Sequence, residues 1–387
     1  MKTNNNKIIS KKSTLLHVIT GLDDGGAEAL LVSILKKDSS NNHIVLSLTK
    51  NGKYYKFLKN NDYKVYQIEK YESYFLIPAL IKIYYLVNKY KPKLIIGWMY
   101  HSCFLISIFK ILFKNRINII WNLHITSLKR GFSFTKLIRF SLRKLSHTLK
   151  NRIIYCSNAG ELYHKKLGFF YKKSSVIFNG YDLEKFQFSS NDFHKSEKLN
   201  FKESNFLMAM VARYHPQKDH ENLFKSLHIL KNFYGIEFNC LLVGSGMDYR
   251  NNELKKLIDI YDLNKNILLL GQRNDIPLIL KEIDVHILSS SFGESFPNVI
   301  CEAMLSGVPC IATDVGDSKY IISKTGWIVD PKNPKDLAKA INESYLEYLK
   351  KDTWLIRKKN CRSRIEINFS LTKMINQFKE LWELSII

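Results

Sequence analysis

Short apolar runs of strand length alternate with longer segments along most of the chain. In the first half, the runs that predict strands are 14–20, 44–48, 64–68, 94–97, 117–123, 153–156 and 175–177. In the second half, they are 206–212, 240–243, 285–288, 308–312 and 326–329. The segments between the first-half strands repeat apolar residues at helical spacing. Strands that alternate with helices predict an α/β fold, with parallel sheets covered by helices on both faces.

The stretch 289–307 carries the strongest candidate chemistry. It follows an apolar strand and leads into a helix predicted at 299–305, with Asn298 as the N-cap. Glu294 lies in the turn, and Glu302 follows eight residues later inside the helix. A loop between the carboxyl end of a parallel strand and a helix N-terminus is where open α/β sheets bind ligands. The free N–H groups there favour anions such as phosphate.

Two further loops follow predicted strands. Gly25 and Gly26 stand between the first strand and a helix, in a turn that is neither G-x-G-x-x-G nor a P-loop, so no dinucleotide or ATP site is indicated. A plain tight turn is the alternative there. In the second half, Arg213 and Lys218 follow the strand at 206–212. Arginine can bind phosphate with two donors and lysine supplies a point charge, although exposed loop cations are the alternative.

Length and cysteine usage narrow the class of protein. The 387 residues predict two domains of ordinary size. Six scattered cysteines without a C-x-x-C pair predict reduced, buried thiols in a cytosolic chain and no zinc site. The polar, basic first twelve residues predict no signal peptide. The run 98–113 contains His101 and Lys110, so a core helix is expected there and not a membrane span.

Positive charge is concentrated in the first half of the chain. Residues 1–187 hold 32 Lys and Arg against 10 Asp and Glu, a net charge of +22, whereas residues 188–387 hold 27 against 25, a net charge of +2. An anionic partner of the first half is expected. The segment 133–145 predicts a basic amphipathic helix suited to an anionic membrane surface. A core-packing helix with a solvated basic face remains the alternative.

Three motifs together resemble a known family. They are E-x7-E at 294–302, R-x-x-P-x-K-D at 213–219 and N-G-x-D-x-x-x-F at 179–186. They are similar to those of family 4 of the retaining glycosyltransferases. The resemblance covers nearly the whole chain, and it is specific in the second half and loose in the first. The family pattern has Gly and Glu where this chain has Asp317 and Tyr320.

The resemblance implies a GT-B fold, with two Rossmann-like domains facing each other across a cleft and a C-terminal helix that crosses back to the first. The implied boundaries are an acceptor- and membrane-facing domain at 1–187, a linker at 188–204, a donor domain at 205–368 and a terminal helix at 369–387.

The resemblance also implies roles for individual residues. Arg213 and Lys218 would hold the donor diphosphate, and His124, at the end of a strand, would hydrogen-bond the sugar. Glu294 would face the sugar hydroxyls and Glu302 the ribose hydroxyls, because a carboxylate accepts from two neighbouring hydroxyls. The expected catalytic residues are therefore Glu294, Arg213, Lys218 and His124. The expected donor-binding residues are Gly25, Gly26, Gln272, Arg273, Ser295, Phe296, Pro297, Asn298, Val299 and Glu302.

The implied activity is metal-independent, retaining transfer of a hexose from a nucleotide-diphosphate donor, expected to be a UDP-hexose. The expected acceptor is a lipid-linked glycan precursor for capsule, O-antigen or other bacterial surface polysaccharide. The chain contains no D-x-D triplet, and neither a metal nor another cofactor is expected. The expected location is the cytoplasm, peripheral on the inner face of the plasma membrane.

Two other functions are open at this point. A catalytically inactive GT-B scaffold, acting as the partner of another transferase, would keep the fold without the reaction. A basic nucleic-acid-binding protein would explain the net charge, but no helix-turn-helix, zinc-finger or RNP signature accompanies the basic residues. No nucleic-acid partner is therefore expected.

Overall fold

The computed structural model describes residues 12–23, 25–68, 76–124, 134–188 and 206–386. Contacts between Cα atoms divide the chain into two compact units. Unit 1 comprises residues 1–156, 160–177 and 375–387, and unit 2 comprises residues 157–159 and 178–374. The predicted linker at 188–204 lies outside the described residues except for Phe188.

The described part of unit 1 is built on a parallel sheet with strand order β3-β2-β1-β4-β5-β6-β7. Leu15 in β1 pairs with His43 in β2 on one side and with Leu94 in β4 on the other. The five central strands are largely buried, as expected for a parallel sheet with both faces covered, whereas the edge strands β3 and β7 are partly exposed. Their bounds are β1 (Thr14–Ile19), β2 (Asn42–Ser47), β3 (Lys64–Gln67), β4 (Leu94–Trp98), β5 (Asn118–Leu123), β6 (Arg152–Tyr155) and β7 (Ser174–Val176).

Amphipathic helices connect these strands. Helix α3 packs on α4, and α4 packs on α5. The core of unit 1 is formed by apolar residues of the sheet and of these three helices. The bounds are α1 (Gly26–Lys37), α2 (Lys53–Asn60), α3 (Leu76–Tyr90), α4 (Met99–Leu112), α5 (Phe134–Leu149) and α6 (Asn158–Lys166).

Unit 2 has a second parallel sheet, with strand order β10-β9-β8-β11-β12-β13. Its strands are β8 (Phe206–Val211), β9 (Phe238–Val243), β10 (Ile267–Gly271), β11 (Val285–Leu288), β12 (Cys310–Thr313) and β13 (Trp327–Val329). The helices are α7 (His220–Asn232), α8 (Asn252–Ile260), α9 (Ile276–Glu282), α10 (Asn298–Leu305), α11 (Ser318–Ile322), α12 (Pro334–Tyr348), α13 (Lys351–Asn368) and α14 (Leu371–Ile386). From Ile375 onward, α14 is part of unit 1.

In both sheets the strand order reverses beside the first strand. The reversal lies between β1 and β4 in unit 1 and between β8 and β11 in unit 2. Loops that leave the carboxyl ends of such a pair diverge to opposite faces and open a crevice, where open α/β sheets bind ligands. In unit 2 this crevice is bordered by the loop that begins at Ala212 and the loop that begins at Ser289.

The cysteines are buried, and the apolar run at 98–113 forms a core helix, as the sequence predicts. All six cysteines are free and buried. Burial raises the pKa of Cys240 and of Cys361 to about 12. The apolar run at 98–113 forms most of α4, which packs in unit 1. Among the described residues, no helix combines the length and the hydropathy that crossing a membrane requires.

Candidate functional site

The two loops at the unit 2 crevice are bonded to each other. Ser289 donates from its hydroxyl to the backbone carbonyls of Lys218 at 2.8 Å and Asp219 at 3.1 Å. The backbone N–H of Ser291 donates to the carbonyl of Gln217 at 2.8 Å. These contacts fix the R-x-x-P-x-K-D loop after β8 against the start of the E-x7-E loop after β11.

Lys218 and Glu294 form an ion pair at this junction. The ammonium Nζ lies 2.5 Å from Oε1 of Glu294, and the side chains are 14% and 9% exposed. The buried hydroxyl of Ser290 donates to the same carboxylate oxygen at 2.6 Å. The carboxylate is thus held in one orientation by a cation and a hydroxyl, both from residues that the loops bring together.

Three residues adopt left-handed backbone conformations that let these loops turn. Asp219 has φ of 50°, a region that aspartate tolerates better than most residues. It is also the N-cap of α7, accepting from the N–H of Asn222 at 3.3 Å. Gly293 has φ of 77°, and Gly316 has φ of 65°. A Cβ atom on Gly316 would lie 2.7 Å from the carbonyl oxygen of Glu294, so a larger residue there would displace the loop that carries Glu294.

Positive charge dominates the rim of the crevice. Arg213 is exposed at the end of β8. Beneath the loop lie two buried histidines, His220 and His286. Burial, reinforced by the charge of Lys218, lowers the pKa of His220 to about 4 and that of His286 to about 3. Both rings are therefore neutral near pH 7, and the lysine and arginine supply the positive charge at this point.

The N-cap prediction for Asn298 is wrong. Helix α10 begins at Asn298, its N-cap is Pro297, and no side chain caps it. The amide oxygen of Asn298 instead accepts from the Asn179 amide at 2.9 Å and from the Tyr181 hydroxyl at 2.7 Å. The first N–H groups of α10 thus have no side-chain acceptor from this residue.

Glu302 lies on α10, one turn inside the helix. Burial raises the pKa of its carboxyl, and the charge of Lys185 opposes that rise. Val299 on the same helix is partly buried. A carboxylate in such a position can accept two hydrogen bonds from a ligand diol.

The segment between Glu294 and α10 is anchored on the 178–181 segment and on the turn after β6. Phe296 is buried and stacks on Phe178 with ring centroids 5.5 Å apart. The hydroxyls of Ser295 and Ser157 lie 2.6 Å apart. Ser157 belongs to unit 2 in the contact division. These contacts hold the backbone between the two glutamates in place.

The two departures from the family pattern have structural partners. The carboxylate of Asp317 accepts hydrogen bonds from the backbone N–H groups of Asn158 at 2.7 Å and Ala159 at 2.8 Å. Its own N–H donates to the carbonyl of Ser295 at 3.0 Å. Tyr320 stacks on Phe178 with a centroid distance of 5.0 Å. Both residues therefore buttress the loop that carries Glu294.

Gln272 and Arg273 follow β10 and are exposed. Arg273 is paired with Asp275, with a distance of 2.5 Å between Nη2 and Oδ2. That pairing engages the Arg273 guanidinium with a neighbouring carboxylate of the same loop.

The unit 1 candidates lie beside the other strand reversal. Gly25 is the N-cap of α1 and Gly26 is its first residue. A Cβ atom on Gly25 would lie 2.2 Å from a carboxylate oxygen of Glu28. Because Gly25 has no side chain, the carboxylate of Glu28 has room beside it. Burial raises the pKa of that carboxyl.

His124 directly follows β5, as predicted. Its ring stacks on Trp98, at the end of β4, with centroids 5.7 Å apart and planes at 20°. Burial lowers the pKa of His124 to about 4. Within the described part of the chain, its Nε2 has no hydrogen-bond partner. The neutral His124 ring, with Nε2 unpaired among the described residues, is better suited to a hydrogen bond with a ligand than to acid–base chemistry.

A chain of hydrogen bonds continues from Trp98. The indole Nε1 donates to Nδ1 of His17 at 3.2 Å, and Nε2 of His17 lies 2.9 Å from Nδ1 of His43. Nε2 of His43 lies 3.0 Å from Oδ2 of Asp38. Because an indole only donates, His17 carries its proton on Nε2 and His43 donates to Asp38. Lys379 of α14 closes the chain, 3.2 Å from the other oxygen of Asp38.

Several of these residues carry no motif. Ser290, Tyr181 and Asp38 contact the candidate residues or their neighbours. The serine run at 289–291 was a visible signal for polar contacts in the loop. The contact of Tyr181 with Asn298 and that of Asp38 with Lys379 each join residues more than a hundred positions apart, which no local pattern records.

Comparison with known proteins bears on the identity of this site. The family model for glycosyl transferases group 1 matches residues 191–359. This stretch contains the Lys218–Glu294 pair, Arg213 and Glu302. The chain contains a glycosyl transferases group 1 domain. This match and the relatives' names confirm the resemblance to family 4 glycosyltransferases.

Two curated relatives illustrate the likeness. The chain is 34% identical over 215 residues to the Escherichia coli UDP-Gal:alpha-D-GlcNAc-diphosphoundecaprenol alpha-1,3-galactosyltransferase, a match over 54% of each chain. It is 25% identical over 280 residues to the N-acetyl-alpha-D-glucosaminyl L-malate synthase of Bacillus anthracis, over 69% of this chain and 68% of that one. The match thus spans about half the length of the E. coli relative.

Solved structures confirm the fold around the group 1 domain. Anabaena Alr3699/HepE, solved in complex with UDP, has a TM-score of 0.83 at 22% identity, covering 96% of this chain and 99% of that one. A glycosyltransferase from Rickettsia africae has a TM-score of 0.81 at 20% identity, covering 97% and 99%. The predicted GT-B fold, with two Rossmann-like halves, is confirmed.

Proposed function

We propose that this protein is a glycosyltransferase that moves a hexose from a UDP-hexose to a hydroxyl of a lipid-linked glycan precursor. The observation that carries the proposal is the Lys218–Glu294 pair at the strand reversal of unit 2, with exposed Arg213 on the same rim. A cation for a diphosphate and a carboxylate for sugar hydroxyls are the two groups that a nucleotide-sugar donor requires side by side.

The geometry supports an electrostatic mechanism. Arg213, Lys218 and the free N–H groups at the start of α10 would bind the diphosphate and stabilise its charge as the bond to the sugar breaks. Glu294, fixed by Lys218 and Ser290, would orient the sugar. Glu302 would accept from the ribose hydroxyls, and backbone groups of Gln272 and Arg273 would meet the base.

The proposed reaction is retaining and needs no metal ion. The acceptor oxygen would bond to the anomeric carbon from the face that the diphosphate leaves, while the bond from that carbon to the diphosphate breaks. A diphosphate oxygen would take the acceptor proton, so UDP carries both the electron pair and the proton away. No protein base is required, which agrees with the low pKa of His124: burial lowers it to about 4, and a ring with that pKa is a weak base.

The printed name of the E. coli relative supports the choice of donor and acceptor. That protein uses UDP-Gal and acts on a sugar linked to diphosphoundecaprenol. A similar acceptor for this chain would place it in assembly of capsule, O-antigen or another surface polysaccharide. It would also require peripheral attachment to the inner face of the plasma membrane, which the net charge of +22 in residues 1–187 favours.

UDP is expected to stabilise the protein against heat, and Glu302→Ala is expected to abolish that stabilisation. A ligand that binds only the native state at a hundred times its dissociation constant adds about 2.7 kcal/mol, which raises the unfolding midpoint by about 5 °C or more for a domain of this size. Differential scanning fluorimetry with UDP, GDP and ADP measures the shift. Glu237→Ala, an exposed glutamate of the same unit, is the matched control and should respond like the wild type.

The alternatives give different results in that experiment. A shift with GDP or ADP instead of UDP would keep the transferase and change the donor. No shift with any nucleotide would contradict the donor site and favour an inactive scaffold. A shift with random duplex DNA that disappears at high salt would favour the nucleic-acid-binding alternative.

Transfer from an α-linked UDP-hexose to a synthetic polyprenyl-diphosphate-linked sugar is expected to yield an α-linked product at a rate unchanged by EDTA. The reason is that attack and departure share one face, and that Arg213 and Lys218 supply the charge a metal would otherwise provide. Proton NMR of the new anomeric centre and initial rates with and without EDTA test both points. A β-linked product would contradict retention, and loss of activity in EDTA that Mg²⁺ restores would contradict metal independence.

A further inference from the structure

The outer surface of helices α3 and α4 exposes several large apolar side chains. Ile77, Ile81 and Tyr84 recur at helical spacing on α3 and are 65%, 63% and 49% exposed. Leu112, the last residue of α4, is 63% exposed, and the adjoining Phe113 is 44% exposed. We call these five residues the α3–α4 patch.

The patch is continuous across the two helices. The rings of Tyr84 and Phe113 lie 5.2 Å apart between centroids. Helix α3 meanwhile buries a separate apolar face, which includes Ala79, Ile83 and Leu86, in the core of unit 1. The helix is thus apolar on two faces, of which only one is needed for folding. A contiguous exposed apolar surface of this kind marks a docking site for another molecule.

The part of the sequence that carries the patch is basic and contains no acidic residue. No Asp or Glu occurs between Glu72 and Glu161, a stretch with 15 Lys and Arg. Lys82 and Lys89 of α3 lie over the ring of Tyr85, at 5.5 and 5.4 Å from its centroid. Lysines next to aromatic rings can extend their ammonium groups past an apolar surface toward anions.

We propose that the α3–α4 patch inserts into an anionic lipid bilayer, with the neighbouring lysines on the headgroups. An anionic bilayer offers hydrocarbon to the patch and negative charge to the lysines at the same time. A second copy of this chain docked through the same patch would bring like charges together. Charge complementarity therefore favours lipid as the occupant.

Helix α5, which packs on α4, exposes a further set of apolar side chains. Phe134, Leu137 and Phe140 are about half exposed. Arg143 and Lys144 lie over the ring of Phe140, at 5.2 and 4.9 Å from its centroid. The basic amphipathic helix predicted from the sequence thus exposes its own apolar and basic side chains, which could meet the same bilayer.

This inference deepens the membrane attachment in the proposed function but does not depend on the donor site. The test is co-sedimentation of the full chain with vesicles of phosphatidylglycerol and phosphatidylcholine, and with vesicles of phosphatidylcholine alone. The variant Ile81→Glu/Leu112→Glu is expected to bind the anionic vesicles at least about tenfold more weakly than the wild type, because it places two carboxylates in the inserted surface.

The matched control is Ile260→Glu/Leu278→Glu in unit 2. Its two side chains are 69% and 64% exposed, close to the 63% of Ile81 and of Leu112, and it changes the net charge by the same amount. It is expected to bind vesicles like the wild type. A second variant, Ile81→Ser/Leu112→Ser, removes apolar surface without adding charge and should lose binding in the same direction.

Several results would overturn the proposal. They are equal binding of the α3–α4 variant and the control, equal binding of the wild type to neutral and anionic vesicles, or a lipid-free dimer that the variant converts to a monomer. The UDP-induced thermal shift should persist in the variant, which shows that it folds. Loss of lipid binding with an intact UDP-induced shift would separate this surface from the donor site. Normal lipid binding without a UDP-induced shift would contradict only the proposed reaction.

Discussion

Lys218→Met is expected to reduce the release of UDP from a UDP-hexose by about 100-fold or more. A positioned donor that stabilises developing charge contributes a factor of about 10²–10³ to turnover, and Lys218 is the partly buried cation at the crevice. The substitution also leaves the Glu294 carboxylate facing an anionic diphosphate without a cation between them. Hydrolysis of the donor in the absence of acceptor, followed by a coupled UDP assay, measures the effect without assuming the acceptor.

The matched control for this prediction is Lys225→Met. Lys225 lies on α7, is 43% exposed and pairs with Glu221 at 2.7 Å, so it has an ion pair but no place in the crevice. Its turnover should stay within about twofold of the wild type, because an exposed pair contributes little. If Lys218→Met kept a third or more of the wild-type turnover, Lys218 would have no role in stabilising the diphosphate.

Stability must be separated from turnover in the same variant. Removing one partner of a largely buried ion pair costs up to about 3–5 kcal/mol, because the remaining charge is left without compensation. Pairing Lys218→Met with Glu294→Gln removes that charge and should recover much of the stability in urea unfolding. It should not recover turnover, since the double variant lacks both groups. Recovery of turnover would show that the single variant had failed only through misfolding.

The order of elements was accessible from the sequence for a physical reason. Strands buried on both faces are nearly continuous apolar runs, and polar turns after Ile19, Val211 and Leu288 interrupt those runs at the sheet edge. Parallel strands put the following loops on one edge. Arg213, Lys218 and Glu294 could therefore be placed in one crevice before any coordinates were known.

What the sequence could not predict depends on long-range contacts. Asn298 has the composition of an N-cap, but its amide oxygen is taken by Asn179 and Tyr181, more than a hundred residues earlier in the chain. Asp317 departs from the family pattern and is explained by two N–H groups of residues 158 and 159. Helix α13 also escaped prediction, because most of its 18 residues are polar or charged and only Trp354, Cys361 and Ile365 are buried.

Acid is expected to destabilise both units well above the pH at which carboxylates titrate. Five buried histidines have lowered pKa values: His17, His124, His164, His220 and His286. For His164, burial lowers the pKa to about 4. For His17, burial and the neighbouring His43 lower the pKa well below its ordinary value, although Asp38 opposes them.

The direction follows from proton binding. In the unfolded chain these histidines take up protons near pH 6.5, whereas the folded rings stay neutral until about pH 4 or below. The unfolded state therefore binds more protons between these limits, and stability falls as pH falls from about 6.5 to about 4. Each histidine costs about 1.4 kcal/mol between pH 7.5 and 5.5.

The two units should respond unequally. Unit 1 contains His17, His124 and His164, and unit 2 contains His220 and His286. Over this range, the free energy of unfolding should thus fall by about 4 kcal/mol in unit 1 and by about 3 kcal/mol in unit 2. Each loss is a large part of the stability of an ordinary domain. Urea unfolding followed by tryptophan fluorescence at pH 7.5, 6.5 and 5.5 measures the change, with pH 8.5 as the reference where these histidines add no slope.

A single substitution tests the assignment to buried histidines. His220→Asn removes one of the five groups and should reduce the loss between pH 7.5 and 5.5 by about 1.4 kcal/mol, even if the variant is less stable at pH 7.5. UDP should reduce the loss further, because a diphosphate near Lys218 offsets the positive charge that lowers the pKa of His220 and His286. A stability profile that stays flat down to pH 5 would show that these rings are protonated in the folded state, and the neutral role inferred for His124 would fail with it.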